Sequence, residues 1–185
     1  MRLGVVDIRP FAGLPTAYYG SLCTTRMSAP NAIPEETARW QRRLAGQANN
    51  HAWQLAEQAT RTPAEGELML QAAHAAAYLW GHVGDAAQHA RAALLLAHAY
   101  ATLRLPGPAA HYFAQAEPPL AGSAPWEPAL LQAVAANVAA SRNDTAAHRL
   151  HYHQATEQTA DLPAPDDRAV LEATLRVMPV PEAAA

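Results

Sequence analysis

The 185-residue chain has no lysine; all 13 of its basic residues are arginine. A high-GC coding bias accounts for this better than a selected arginine surface, because the arginines are scattered. Against 16 acidic residues they leave a formal net charge of −3. Without a basic patch, little affinity is available from displacing counterions on a phosphate backbone, so nucleic acid is not an expected partner. Cysteine is nearly missing, and Cys23 stands alone. That excludes a disulfide framework and a cysteine-based zinc site, and it fits a reducing cytoplasm.

Long apolar runs are missing too. The longest, Leu68–Trp80, is broken by Gln71 and His74, so no membrane span is expected. The opening MRLGVVDIRPFAG is cut short by Asp7, Arg9 and Pro10, too early for a signal peptide. A cytoplasmic location away from membranes is the expectation. Strand formers are scarce: Ile8 and Ile33 are the only isoleucines, and aromatics make up 6%.

Alanine dominates instead, and 50% of the chain is apolar. Alanine is the best helix former and a poor strand former, so the expected class is all-α: stacked antiparallel helical hairpins around one core. Residues 1–30 carry Gly, Pro, Thr and Tyr without helical period. They read as a flexible N-terminal extension, and MSAPNAIP from Met27 reads as a natural chain start. The helical domain is expected over 31–178, with a frayed tail over 179–185.

The helix starts are well marked. IPEE places Pro34 at a first helical position with Glu35 and Glu36 in the first turn. TPAE makes a capping box of Thr62 and Glu65. Gly84 ends one helix and Asp85 caps the next. Further starts are expected after the Pro106–Pro108 break, at Pro125, at Asn143-Asp144 and at Pro165. About seven helices follow, near 35–59, 63–80, 85–104, 108–117, 125–141, 144–160 and 165–177. AEPPLAGSAP is then the longest internal loop.

An internal repeat is visible. Ala97, Tyr100, Ala109, Phe113 and Ala116 fit the tetratricopeptide pattern, with small residues where helices touch and large ones between. A weaker unit places Ala136, Tyr152 and Ala155 correspondingly, 39 residues on rather than about 34. NNHAWQL around Trp53, AAHA at Ala72–Ala75, Tyr78, Trp80, Val83-Gly84, and ARA at Ala90–Ala92 carry a further resemblance. Over roughly 45–177 the chain resembles an uncharacterised bacterial family of tetratricopeptide-like proteins. The resemblance implies a right-handed superhelix of hairpins and lends no catalytic residues.

Two groups of polar residues are candidates for chemistry. In HRLHYH, His148 and His151 share a helix face, but His153 lies round the cylinder, and a zinc ion needs three or four convergent ligands. No metal is expected there. The second group depends on a corner at Gly81–Gly84. If the helices on either side pair there, residues whose numbers sum to about 165 lie level. Glu67 then faces His98, and His74 faces Arg91, with Tyr78 one turn from His74. These five residues form the candidate binding set. They either satisfy one another between alanine-lined helices or hold an acidic or carboxylate-bearing ligand.

Trp53, Trp80, Trp126, Tyr100 and Phe113 are expected in the inter-helix core, while Trp40 beside Arg39, Arg42 and Arg43 is expected nearer the surface. No Gly-x-Ser-x-Gly elbow or phosphate-cradling glycine loop occurs, so no catalytic residue and no cofactor is expected. The functional expectation is a non-catalytic interaction module for a protein or peptide partner. Exposed end helices would also allow a homodimer. The alternative from another class is a small-ligand sensor or metal-dependent enzyme using the groove histidines.

Overall fold

The computed structural model describes residues 33–120 and 124–182. The chain divides into two compact units, 1–33 and 34–185. The expected extension over 1–30, Met27 included, lies outside the described residues. The second unit holds seven α-helices and, among the described residues, no strand: α1 (Glu35–Ala56), α2 (Pro63–Val83), α3 (Ala86–Thr102), α4 (Pro106–Leu120), α5 (Glu127–Ser141), α6 (Thr145–Ala160) and α7 (Pro165–Arg176). The all-α class therefore holds. No helix among the described residues is long and apolar enough to cross a membrane.

The starts form for local reasons. Thr62 Oγ1 accepts from the Glu65 amide at 3.2 Å while Glu65 Oε2 accepts from the Thr62 amide at 2.8 Å, closing the expected capping box. Asp85 makes the same reciprocal box with Gln88, at 2.8 and 2.9 Å. Asp144 caps α6 through the Ala147 amide at 3.0 Å. Two starts differ from expectation. α4 begins at Pro106, not after the PGP run, because first-turn amides have no intrahelical partner and prolines there cost nothing. It also runs on to Leu120, which shortens the expected loop. α5 begins at Glu127, with Pro128 rather than Pro125 in its first turn.

Two ends match each other. Arg104 and Asn143 both have φ of 59°, the left-handed conformation that closes a helix. After α3, the Leu105 amide donates to Tyr100 O and the Arg104 amide to Ala101 O; after α5, Asp144 donates to Ala139 O and Asn143 to Ala140 O. Asn143 tolerates this backbone well and Arg104 less so. The Arg104 side chain is used, however, and donates to Ala140 O at the end of α5, at 2.9 Å. Arg61 caps the end of α1 in the same manner, donating to Leu55 O, Ala56 O and Gln58 O.

The most extensive packing joins α1 with α2, α3 with α4 and α5 with α6. These are three antiparallel pairs built on short connections. Between pairs, α2 packs on α3, α4 on α5, and α1, α3 and α5 pack in sequence; α7 covers parts of α5 and α6. Alanine permits the close approach. Ala97, Ala109, Ala116, Ala136 and Ala155, all positions of the expected repeat, have no exposed surface. His98 of α3 and Asn137 of α5 touch each other.

The tail is held further than expected. Pro179 O accepts from His148 Nε2 at 3.0 Å, and Glu182 O accepts from Arg149 at 3.2 Å. Met178 is buried with Ala133, Ala136, Ala155 and Leu175.

Candidate functional site

A groove of about 560 Å³ opens where α1, α3, α5 and α7 face one another. That size suits a small ligand or a few residues of a peptide. α1 supplies Gly46, Asn49, Asn50, Trp53 and Gln54, and Glu57 follows at its C-terminal cap. Positions 46, 50, 53 and 57 recur at alternating fours and threes, which puts them on one helix face. Trp80 comes from the last turn of α2, Gln88 and Arg91 from α3, Trp126 and Leu130 from around the start of α5, and Val170, Leu171 and Thr174 from α7.

Of the expected core aromatics, Trp53, Trp126, Tyr100 and Phe113 pack against the core, and Trp53 and Trp126, with Trp80, also line the groove. Trp53, Trp80 and Trp126 are half-buried. Trp53 is backed by His98, stacked at 5.1 Å between centroids. The Arg91 guanidinium lies 5.5 Å from the Trp126 ring centroid. Arg91 Nε donates to Glu127 Oε1 at 2.7 Å, and Glu127 has no exposed surface. Trp40, by contrast, is 54% exposed under the Arg43 guanidinium, as expected for a surface tryptophan.

Glu57 is the other charged side chain of the lining. It accepts from the Thr174 hydroxyl at 3.4 Å, a contact between the end of α1 and α7. Burial pushes its carboxyl above the usual range, and the Thr174 hydrogen bond and the nearby Arg176 charge offset this only in part.

The expected polar ladder does not form. Gly66 stands against Leu103, where an added Cβ would come 3.0 Å from Cδ2, and Ala73 packs with Leu95 and Leu96. The reason is the corner. α2 runs through Gly81 to Val83, so the turn falls at Gly84-Asp85, about two residues later than assumed. Level partners then shift by about four residues, roughly one helical turn. Arg91 pairs with Glu127, and His74 Nε2 meets the Tyr100 hydroxyl at 2.8 Å. His74 also packs edge-on against Tyr112, which stacks on Tyr100. Burial and the neighbouring Tyr112 raise the Tyr100 hydroxyl above its ordinary pKa. Glu67 is exposed on α2, and Tyr78, 68% exposed, packs edge-on against His82.

His98 does not meet Glu67. It is fully buried, and Asn137 Nδ2 lies 3.3 Å from its Nδ1, with Asn137 also bonded to Thr102 Oγ1 at 3.1 Å. Burial, with help from the Arg61 charge, lowers its pKa to about 4. Of the five expected residues, only Arg91 lines the groove. Asn49, Asn50, Glu57 and Gln88 line the groove unexpectedly, and Glu127 is an unexpected partner for Arg91. A signal was present for the α1 set in the spacing of Asn50, Trp53 and Glu57, but nothing local marks Glu127 as Arg91's partner.

The histidines of HRLHYH have separate partners: His148 with Pro179 O, His151 with Gln132 Oε1 at 2.7 Å, and His153 with Glu157 at 3.1 Å. Glu157, four residues past His153, is a pairing that the reading of the triplet overlooked. Among the described residues, no three His, Cys, Asp or Glu side chains converge as a metal site would require. No protein-family model matches the chain, and neither a curated protein nor a solved structure matches it.

Proposed function

We propose that the second unit is a non-catalytic helical-repeat module of tetratricopeptide type that binds a peptide segment of a partner protein in the groove. The observation that carries this reading is the composition of the lining. Three tryptophans give apolar contact area at low entropic cost. Asn49, Asn50, Gln54 and Gln88 add carboxamides, groups with the donors and acceptor that a peptide unit needs, though Gln88 Oε1 also accepts from the Asp85 amide and Asn50 Oδ1 from Asn49. No lining residue pairs as a nucleophile and base, and the arrangement is suited to holding rather than converting. The resemblance of residues 45–177 to tetratricopeptide-like proteins points the same way, as does the repeat.

The test selects displayed random peptides on the full chain and measures the affinity of those enriched. Asn49→Ala with Asn50→Ala should weaken binding about tenfold, the equivalent of two modest hydrogen bonds. His74→Ala, on a different set of contacts, should leave it unchanged. Failure to enrich any peptide, or equal binding by the double variant, overturns the reading.

A further inference from the structure

We propose that the groove selects a basic segment, with an arginine or lysine side chain of the partner entering between the tryptophans and Glu57; this rests on the peptide-binding reading above. Charge balance gives the first argument. The groove's cation, Arg91, is already matched by Glu127 at 2.7 Å. Glu57 is the charge in the lining left without a close ion pair, since its contacts are the Thr174 hydroxyl at 3.4 Å and the field of exposed Arg176. An acidic ligand would meet a spent cation and a repelling carboxylate, so the carboxylate-bearing ligand of the sequence reading is the poorer match.

The rings give the second argument. A cation over an indole face is attracted by the ring quadrupole, and tryptophan is the best of the aromatic partners. The site already holds one such contact, Arg91 on Trp126 at 5.5 Å. Glu57 closes α1 four residues after Trp53, with its amide donating to Trp53 O at 2.9 Å, so the two are neighbours on one face. Together they offer a partner's cation a π face and a carboxylate at once. The half-buried carboxylate is held above its usual range mainly by desolvation. An entering cation would supply the counter-charge that burial withholds.

Gly46 is the third observation. It lies inside α1, where glycine weakens a helix relative to alanine. Packing does not require it: a Cβ there would meet nothing within 4 Å. It does line the groove, one turn from Asn50, so a side chain there would project into space that the groove leaves open to a ligand.

The experiment compares the enriched peptides and their affinities for wild type, Glu57→Gln and Gly46→Ala, with agmatine as a free guanidinium competitor. Enriched peptides should carry Arg or Lys at a fixed position. Glu57→Gln should weaken them about tenfold without lowering Tm, since it removes a desolvated charge from the fold. Gly46→Ala should raise Tm yet weaken binding several-fold, a divergence that a purely structural role would not produce. Enrichment of acidic or uncharged peptides, or unchanged binding by Glu57→Gln, overturns the selectivity while leaving peptide binding intact. Competition by agmatine at the peptide's own Kd overturns the peptide as the source of the cation. Enrichment of no peptide at all overturns the underlying reading.

Discussion

His98 shows how much one buried residue can impose. Its ring is sealed between Trp53 and Asn137 with no exposed surface, and its pKa falls from 6.5 to about 4, chiefly through desolvation. The sign follows from proton binding. Between pH of about 6.5 and 4 the unfolded chain accepts a proton that the folded chain refuses, so stability is complete above about 6.5 and is lost as pH falls toward 4. The loss amounts to roughly 3 kcal/mol. Urea denaturation at pH 7 and pH 4.5 should show this drop, and His98→Gln should remove most of it. Glu57, raised rather than lowered, acts with the opposite sign within the carboxylate range. A pH slope unaffected by His98→Gln would contradict the account. The sequence displayed nine histidines but could not say which one is sealed, because burial depends on residues from α1 and α5 that are distant in the chain.

At the scale of elements, the corner between α2 and α3 carries the most information. Gly84 is extended there, with φ of −89°, so the left-handed conformation usual for a terminating glycine is not why it is required. The reason is close approach: an added Cβ would lie 2.7 Å from Trp80 O, a backbone atom also bonded to the Gly84 amide and to His89 Nε2. Gly84→Ala should therefore destabilise by about 1–3 kcal/mol, the range for overpacking, and thermal or urea unfolding will measure it. Caps were readable at Thr62, Asp85 and Asp144 because a cap is a contract between residues three apart. The register across the corner was not. An error of two residues in the turn moved the level partners by about one turn, which set Ala73 beside Leu95 and Leu96 and left His74 away from Arg91, in reach of Tyr100.

For the molecule as a whole, α7 is both wall and cover. Leu171, Leu175 and Met178 are buried, while Val170, Leu171 and Thr174 face the groove. Ending the chain at Ala164 removes three buried side chains, each contributing roughly 1.5–3 kcal/mol of burial, and uncovers the faces of α5 and α6 they pack on, so the shortened chain should have a lower Tm. The truncation should also abolish peptide binding. Equilibrium unfolding of the shortened chain would show the first effect; a Tm equal to that of the full chain would mean α7 is not part of the cooperative unit.

Composition and spacing by themselves determined that the chain is helical, where most helices begin, and which alanines lie between them. Each of those depends on propensity and on residues within one turn of each other. Only the tertiary structure decided that Arg91 belongs to Glu127, that Trp53 and Trp126 pack on the core and line a groove at once, and that Glu57 remains the unmatched charge beside them. Those outcomes depend on how α1, α3, α5 and α7 converge. Convergence is set by the summed packing of many small side chains, which no spacing within one helix records.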